Sequence, residues 1–210
     1  MKPEKREQFF ARLAALNPEP KGELNYTNAY TLLVAVVLSA QATDTGVNKA
    51  TAALFKKVST PEQMIALGLA ALKDHIKTIG LYNAKAENVM ALSRILIEQH
   101  HSQVPQTMDE LVKLPGVGRK TANVVLNIFF GHPTIAVDTH VFRVSNRTGL
   151  APGKTVEDVE RKLLKAVPPQ YLRHAHHWLI LHGRYVCKAR NPLCATCVVR
   201  DLCAYKDKNL

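Results

Sequence analysis

Lys120 directly follows the run Leu114-Pro115-Gly116-Val117-Gly118-Arg119, so a potentially nucleophilic amine leaves a glycine-rich turn suited to holding phosphate. That juxtaposition points to covalent chemistry on a nucleic-acid backbone. In Pro115-Gly116-Val117-Gly118 the proline presets a turn, and the two glycines permit positive φ and put no Cβ between the backbone N–H groups and an approaching anion. A helix expected through Lys120-Thr121-Ala122-Asn123-Val124-Val125-Leu126 adds its positive end. Taken alone, such a turn is also the corner of a plain helix-turn-helix, and Lys120 is then a phosphate contact.

A second candidate is Asp138, which the short apolar run Thr134-Ile135-Ala136-Val137 delivers to the start of helical spacing at Thr139-His140-Val141-Phe142-Arg143-Val144. The pattern predicts a helix N-cap. Backbone N–H groups and the helix dipole favour the ionised carboxylate, which suits it to stabilising a developing positive charge rather than to donating a proton.

All four cysteines of the chain stand in one C-terminal stretch, Cys187-x6-Cys194-x2-Cys197-x5-Cys203. Clustering of that kind marks a ligand set. Disulfides are disfavoured because the N-terminal residues carry no export signal. Four thiolates satisfy tetrahedral zinc, and a single C-x2-C flanked by gaps of six and five suits a cubane [4Fe-4S] cluster at least as well, so spacing leaves both open. The loop Lys188-Ala189-Arg190-Asn191-Pro192-Leu193, tied at both ends, can present its cations to phosphates. His174, His176, His177 and His182 offer only one i,i+3 pair on a helix, His174 with His177, and are read as core or surface histidines.

These residues need a scaffold, and the apolar pattern predicts an all-α chain: helical spacing recurs almost everywhere, and no bounded alternating strands are seen. Thr60-Pro61-Glu62-Gln63 and Thr107-Met108-Asp109-Glu110 have the form of capping boxes, Thr155-Val156-Glu157-Asp158 is a close relative, and Gly80, Gly131 and Gly149 are stop signals. The segment Ala29 to Ala40 is apolar around nearly its whole circumference and should be a buried spine. Lys and Arg number 28 against 17 Asp and Glu, a formal charge of +11 on 210 residues, which favours a polyanionic partner. The most apolar run, Leu32 to Ala40, is too short for a membrane span, and Met1 to Glu7 lacks an apolar signal region, so a soluble cytoplasmic protein is expected.

The run Leu114 to Ala122, then Val137-Asp138-Thr139-His140, then the cysteine tail, resembles the endonuclease III family, bifunctional DNA glycosylases and abasic-site lyases of the helix-hairpin-helix superfamily. Leu38-Ser39-Ala40-Gln41-Ala42-Thr43-Asp44 and Ile79-Gly80-Leu81-Tyr82-Asn83-Ala84-Lys85-Ala86 are similar to two further segments of it, and the resemblance runs essentially the full length. It implies two helical lobes flanking a DNA-binding cleft: a six-helix barrel with the helix-hairpin-helix over 22–132, and a discontinuous iron–sulfur lobe from 1–21 and 133–210. It implies Lys120 as Schiff-base nucleophile and Asp138 as essential carboxylate. Gln41 and Leu81 become the residues pushed into the duplex, while Gly116, Val117, Gly118, Arg119, Lys188 and Arg190 contact DNA. Cys187, Cys194, Cys197 and Cys203 become the ligands of a [4Fe-4S] cluster.

The implied activity is base excision repair on duplex DNA by a nucleoid-associated monomer. An oxidised pyrimidine is flipped out and its glycosidic bond cleaved through a Lys120 imine, and the strand is nicked 3′ to the abasic site by β-elimination. Attack needs a neutral amine, and burial, the helix start and Arg119 are expected to favour that form. The alternatives are a non-catalytic DNA-docking module and a glycosylase of the same superfamily aimed at mismatched or other damaged bases.

Overall fold

The computed structural model describes all residues 1–210 and contains helices and no strand. In chain order the helices are α1 (Pro3–Leu16), α2 (Ala29–Leu38), α3 (Asp44–Leu54), α4 (Pro61–Leu67), α5 (Leu69–Ile76), α6 (Tyr82–His100), α7 (Met108–Leu111), α8 (Arg119–Ile128), α9 (Thr139–Thr148), α10 (Val156–Ala166) and α11 (Leu172–Tyr185). No helix is long and apolar enough to cross a membrane. The chain divides into two compact units, Glu23–Gly131 and the discontinuous pair Met1–Gly22 with His132–Leu210.

The first unit is organised around α2. Every residue from Tyr30 to Leu38 is buried, and α3, α6 and α8 pack against this helix. Fully burying a side chain such as Leu32, Leu33 or Leu38 stabilises the fold by about 1.5–3 kcal/mol each, enough to fix the spine about which the other helices settle. The start of α2 is a complete capping box: Asn28 accepts from the Thr31 amide, and Thr31 returns a bond to the Asn28 amide. Thr60, Thr107 and Thr155 cap α4, α7 and α10 as their spacing predicts. The return bond of the α4 box is shifted by one residue, since Gln63 Oε1 accepts from the Ser59 amide rather than from Thr60. The unit contains seven helical segments, because Gly68 at φ 81 separates α4 from α5 and α7 is a single turn. Gly80 ends no helix; α5 stops at Ile76, and the left-handed residue before α6 is Leu81.

In the second unit α9 lies on α11, and α1 packs on α11 through Phe9 and Phe10, both fully buried. Close approach of α9 and α11 requires Gly183: a Cβ there would lie 2.9 Å from His140 Cβ and 3.0 Å from the His140 carbonyl oxygen. Gly149, in left-handed conformation at φ 71, ends α9 as the sequence predicts.

Candidate active site and cluster seat

The hairpin before Lys120 is held from beneath by Leu114 and Val117, both buried, with the Val117 amide bonded to the Leu114 carbonyl at 3.0 Å. Gly116 adopts φ 76, and a Cβ on it would meet Asn88 at 3.1 Å and Val37 at 3.2 Å, so both conformation and space demand glycine. Gly118 differs. Its φ is −89, and a Cβ there would touch nothing within 4 Å, so nothing inside the protein requires a glycine at that position. Gly118 is the N-cap of α8, and no side chain caps this helix. A helix start of this kind can receive an anion, and Arg119 and Lys120 stand exposed at the same place. Lys120 is exposed, so the burial expected for it is not found.

Gln41 and Leu81 share an uncommon backbone. Both are non-glycine residues in left-handed conformation, at φ 55 and φ 60, and Leu81 is 65 % exposed. Strain of this kind, of order 1–3 kcal/mol, persists where the surroundings over-determine it and is common at functional positions. An outward-pointing leucine on a strained corner has no packing reason of its own.

Asp138 caps α9 as expected. Its Oδ1 accepts from the amides of His140 at 2.9 Å and Val141 at 2.8 Å, which leaves Oδ2 outside the cap. The other end of α9 is fastened to the cysteine loop by two arginines one helical turn apart. Arg143 donates to the Cys187 carbonyl at 2.9 Å and the Gly183 carbonyl at 2.8 Å. Arg147 donates to the carbonyls of Lys188 at 2.6 Å and Ala189 at 3.1 Å, and its guanidinium lies 4.7 Å from the centre of the Tyr205 ring. The backbone of the Lys188–Leu193 loop is thus pinned, while the Lys188 and Arg190 side chains point into solvent. Sequence reasoning passed over Arg143 and Arg147; their i,i+4 spacing on a helix ending at the cysteines was the available signal.

The four cysteines are free, half-buried thiols lining one partly open pocket, with Thr148, His182, Val199, Arg200, Tyr205 and Lys208 among its other walls. No group of three His, Cys, Asp or Glu side chains closes on a single ion, which a mononuclear zinc site would require. Four thiols facing one pocket fit the donor set of a polynuclear [4Fe-4S] cluster. Burial pushes the Cys197 and Cys203 thiols above their ordinary value. Arg147 and His182 lie 3.8 Å and 3.7 Å from the sulfurs of Cys187 and Cys197, placing donors beside atoms that carry negative charge when ligated.

Residues 34–169 match the HhH-GPD superfamily base excision DNA repair protein family, and residues 187–203 match the iron-sulfur binding domain of endonuclease III. Endonuclease III of Escherichia coli strain K12 is 59 % identical over 204 residues, covering 97 % of each chain. That of Haemophilus influenzae is 58 % identical over 204 residues, also covering 97 % of each. A solved structure of a trapped endonuclease III–DNA covalent intermediate superimposes with a TM-score of 0.90 at 45 % identity, covering 97 % of this chain and 96 % of that one.

Proposed function

The chain belongs to the endonuclease III family of HhH-GPD base excision repair proteins, and from that premise we propose that Lys120 and Asp138 carry its chemistry on oxidised pyrimidines in duplex DNA. The protein is a DNA glycosylase with abasic-site lyase activity and a [4Fe-4S] cluster, so the docking-module alternative falls. The observation that carries the residue assignment is the pair of helix starts: an exposed lysine at an uncapped one, and an aspartate with one free oxygen at the other.

The damaged nucleotide leaves the stack because weakened stacking makes its extrusion less costly, and Leu81 and Gln41 fill the gap, the first with apolar volume and the second with a hydrogen bond to the orphaned base. Arg119, Lys188, Arg190 and the open amides after Gly116-Val117-Gly118 hold the backbone phosphates. The neutral amine of Lys120 attacks C1′ while the bond to the base breaks, and the base departs with the bonding pair. Asp138, ionised, supports the cationic character that develops on the sugar. One amine proton passes to the departing base; the nitrogen lone pair then opens the sugar ring, O4′ taking a proton from water, to give a protonated imine between Lys120 and C1′. The imine acidifies the C2′ proton; its removal expels the 3′ phosphate, and the strand is cut 3′ to the lesion. Cys187, Cys194, Cys197 and Cys203 would hold the cluster, which when bound would tie the C-terminal loop together through four metal–thiolate bonds. The protein acts as a cytoplasmic monomer at the nucleoid.

Borohydride trapping tests the assignment on a duplex with one oxidised pyrimidine, beside an undamaged duplex. The expected outcome is a covalent adduct that needs the lesion and disappears in Lys120→Ala, while that variant still binds damaged DNA. An adduct persisting in Lys120→Ala removes the lysine from its role.

A further inference from the structure

The reaction depends on how Asp138 is presented, and the segment that presents it is weakly tied by its own backbone. Ile135, Ala136 and Val137 are buried but make no backbone–backbone hydrogen bond. The Ala136 carbonyl instead lies 3.1 Å from Nδ1 of His176. A carbonyl oxygen only accepts, so Nδ1 carries the proton and the ring donates. Ala136 is 0 % exposed and His176 3 %, so water does not substitute for this bond. His176 sits in α11 within the continuously buried run Ala175–Leu179, two residues from Trp178, whose indole N–H is itself bonded to the Asn17 carbonyl at 2.8 Å. The ring therefore ties the residue two before the proposed catalytic aspartate to a buried stretch of α11.

We propose that His176 is a positioning residue for base release: its Nδ1–H fixes the approach of Ala136-Val137 and thereby the orientation of the free Asp138 oxygen. This rests on the Asp138 assignment above. The cap from Asp138 Oδ1 holds the carboxylate to the start of α9, and His176 holds the chain that enters the cap. With both fixed, Oδ2 has a single direction. Without the donor, a buried carbonyl loses its partner and the entering strand is free to rotate, which misdirects Oδ2 while leaving Lys120 untouched. Base release and imine chemistry should then separate.

The test uses full-length, cluster-containing His176→Leu and His176→Asn, with Asp138→Asn as reference. Three quantities are measured: single-turnover base release from an oxidised-pyrimidine duplex, cleavage of a duplex carrying a preformed abasic site, and the visible absorbance of the cluster. His176→Leu should slow base release by at least about tenfold, the scale on which small misplacements act, with abasic-site cleavage held within about threefold. Cluster absorbance should be unchanged. His176→Asn, which keeps an N–H of suitable reach, should recover base release to within about threefold of the parent. If His176→Leu does not fold, His176→Met supplies a flexible side chain without a donor and the same expectation. A parallel fall of both activities, full base release without the donor, or no recovery with Asn overturns the proposal. Base release surviving in Asp138→Asn overturns the Asp138 assignment and this inference with it; loss there but not in the donorless variants overturns the inference alone.

Discussion

Two ten-residue helices, α8 and α9, begin at the residues proposed to carry the chemistry, and they treat their first turns in opposite ways. The start of α8 carries no capping side chain: its N-cap is glycine, and Lys120 is exposed beside it. The start of α9 is closed by Asp138, which occupies two amides with one oxygen. The same feature, a helix start with unsatisfied donors, serves an external anion in one case and orients an internal one in the other. The proposed nucleophile is given freedom at an exposed helix start. The carboxylate is given a fixed direction, and Arg143 and Arg147 brace its helix at the cluster loop.

The sharpest way to break this contrast is at Asp138, where cap and charge separate. Asp138→Asn keeps a good capping side chain and removes the charge, so base release should fall by about a hundredfold or more with melting nearly unchanged. Asp138→Ala should lose the same activity and also the cap, about 0.5–2 kcal/mol, lowering the melting temperature by a few degrees. Equal melting of the two variants would mean that the closed start is not energetically closed.

Next in size are the hairpin glycines. Gly116→Ala meets left-handed backbone and the Asn88 and Val37 side chains, and should destabilise by about 1–3 kcal/mol, read as a lower melting temperature. Gly118→Ala meets nothing in the protein, so melting should hold while affinity for duplex DNA falls by about tenfold, roughly one charge-assisted hydrogen bond. Unchanged affinity in Gly118→Ala would show that phosphate does not use the open amides.

The smallest effect concerns acid. Every buried histidine of the chain lies in α11, which backs α9. Burial, then the neighbouring His176 and His174, push His177 down to about 4 from 6.5. Its folded value lies below its unfolded one, so the unfolded chain takes up the proton first. Stability is therefore full above about pH 6.5 and declines towards about pH 4. His177→Leu should flatten the dependence of melting temperature on pH in that window, and an unaltered slope would place the acid sensitivity elsewhere.

Much of this was legible in the sequence because it is local. The Asp138 cap, the α2 spine and the threonine caps each depend on a few consecutive residues, and the three motifs carried the family resemblance. What was not legible depends on chain segments meeting far apart in sequence. Spacing could not choose between zinc and a cubane cluster, since that depends on how far apart the folded thiols stand. The burial expected of Lys120 is absent because the hairpin lifts it outward. His176 looked like a core histidine, and it is one; its partner at Ala136, forty residues away, gives that burial a consequence.

Gln41 and Leu81 hold backbone angles that glycine adopts without strain, so stability favours glycine there, whereas the insertion into the duplex proposed for them needs their side chains. Selection for heat resistance and selection for repair therefore pull these two corners in opposite directions. In a lineage released from DNA damage, the strained corners are where relaxation to glycine meets the least resistance from the fold. In a library sorted only on thermal survival, they are where the enzyme would be lost first, with every helix still in place.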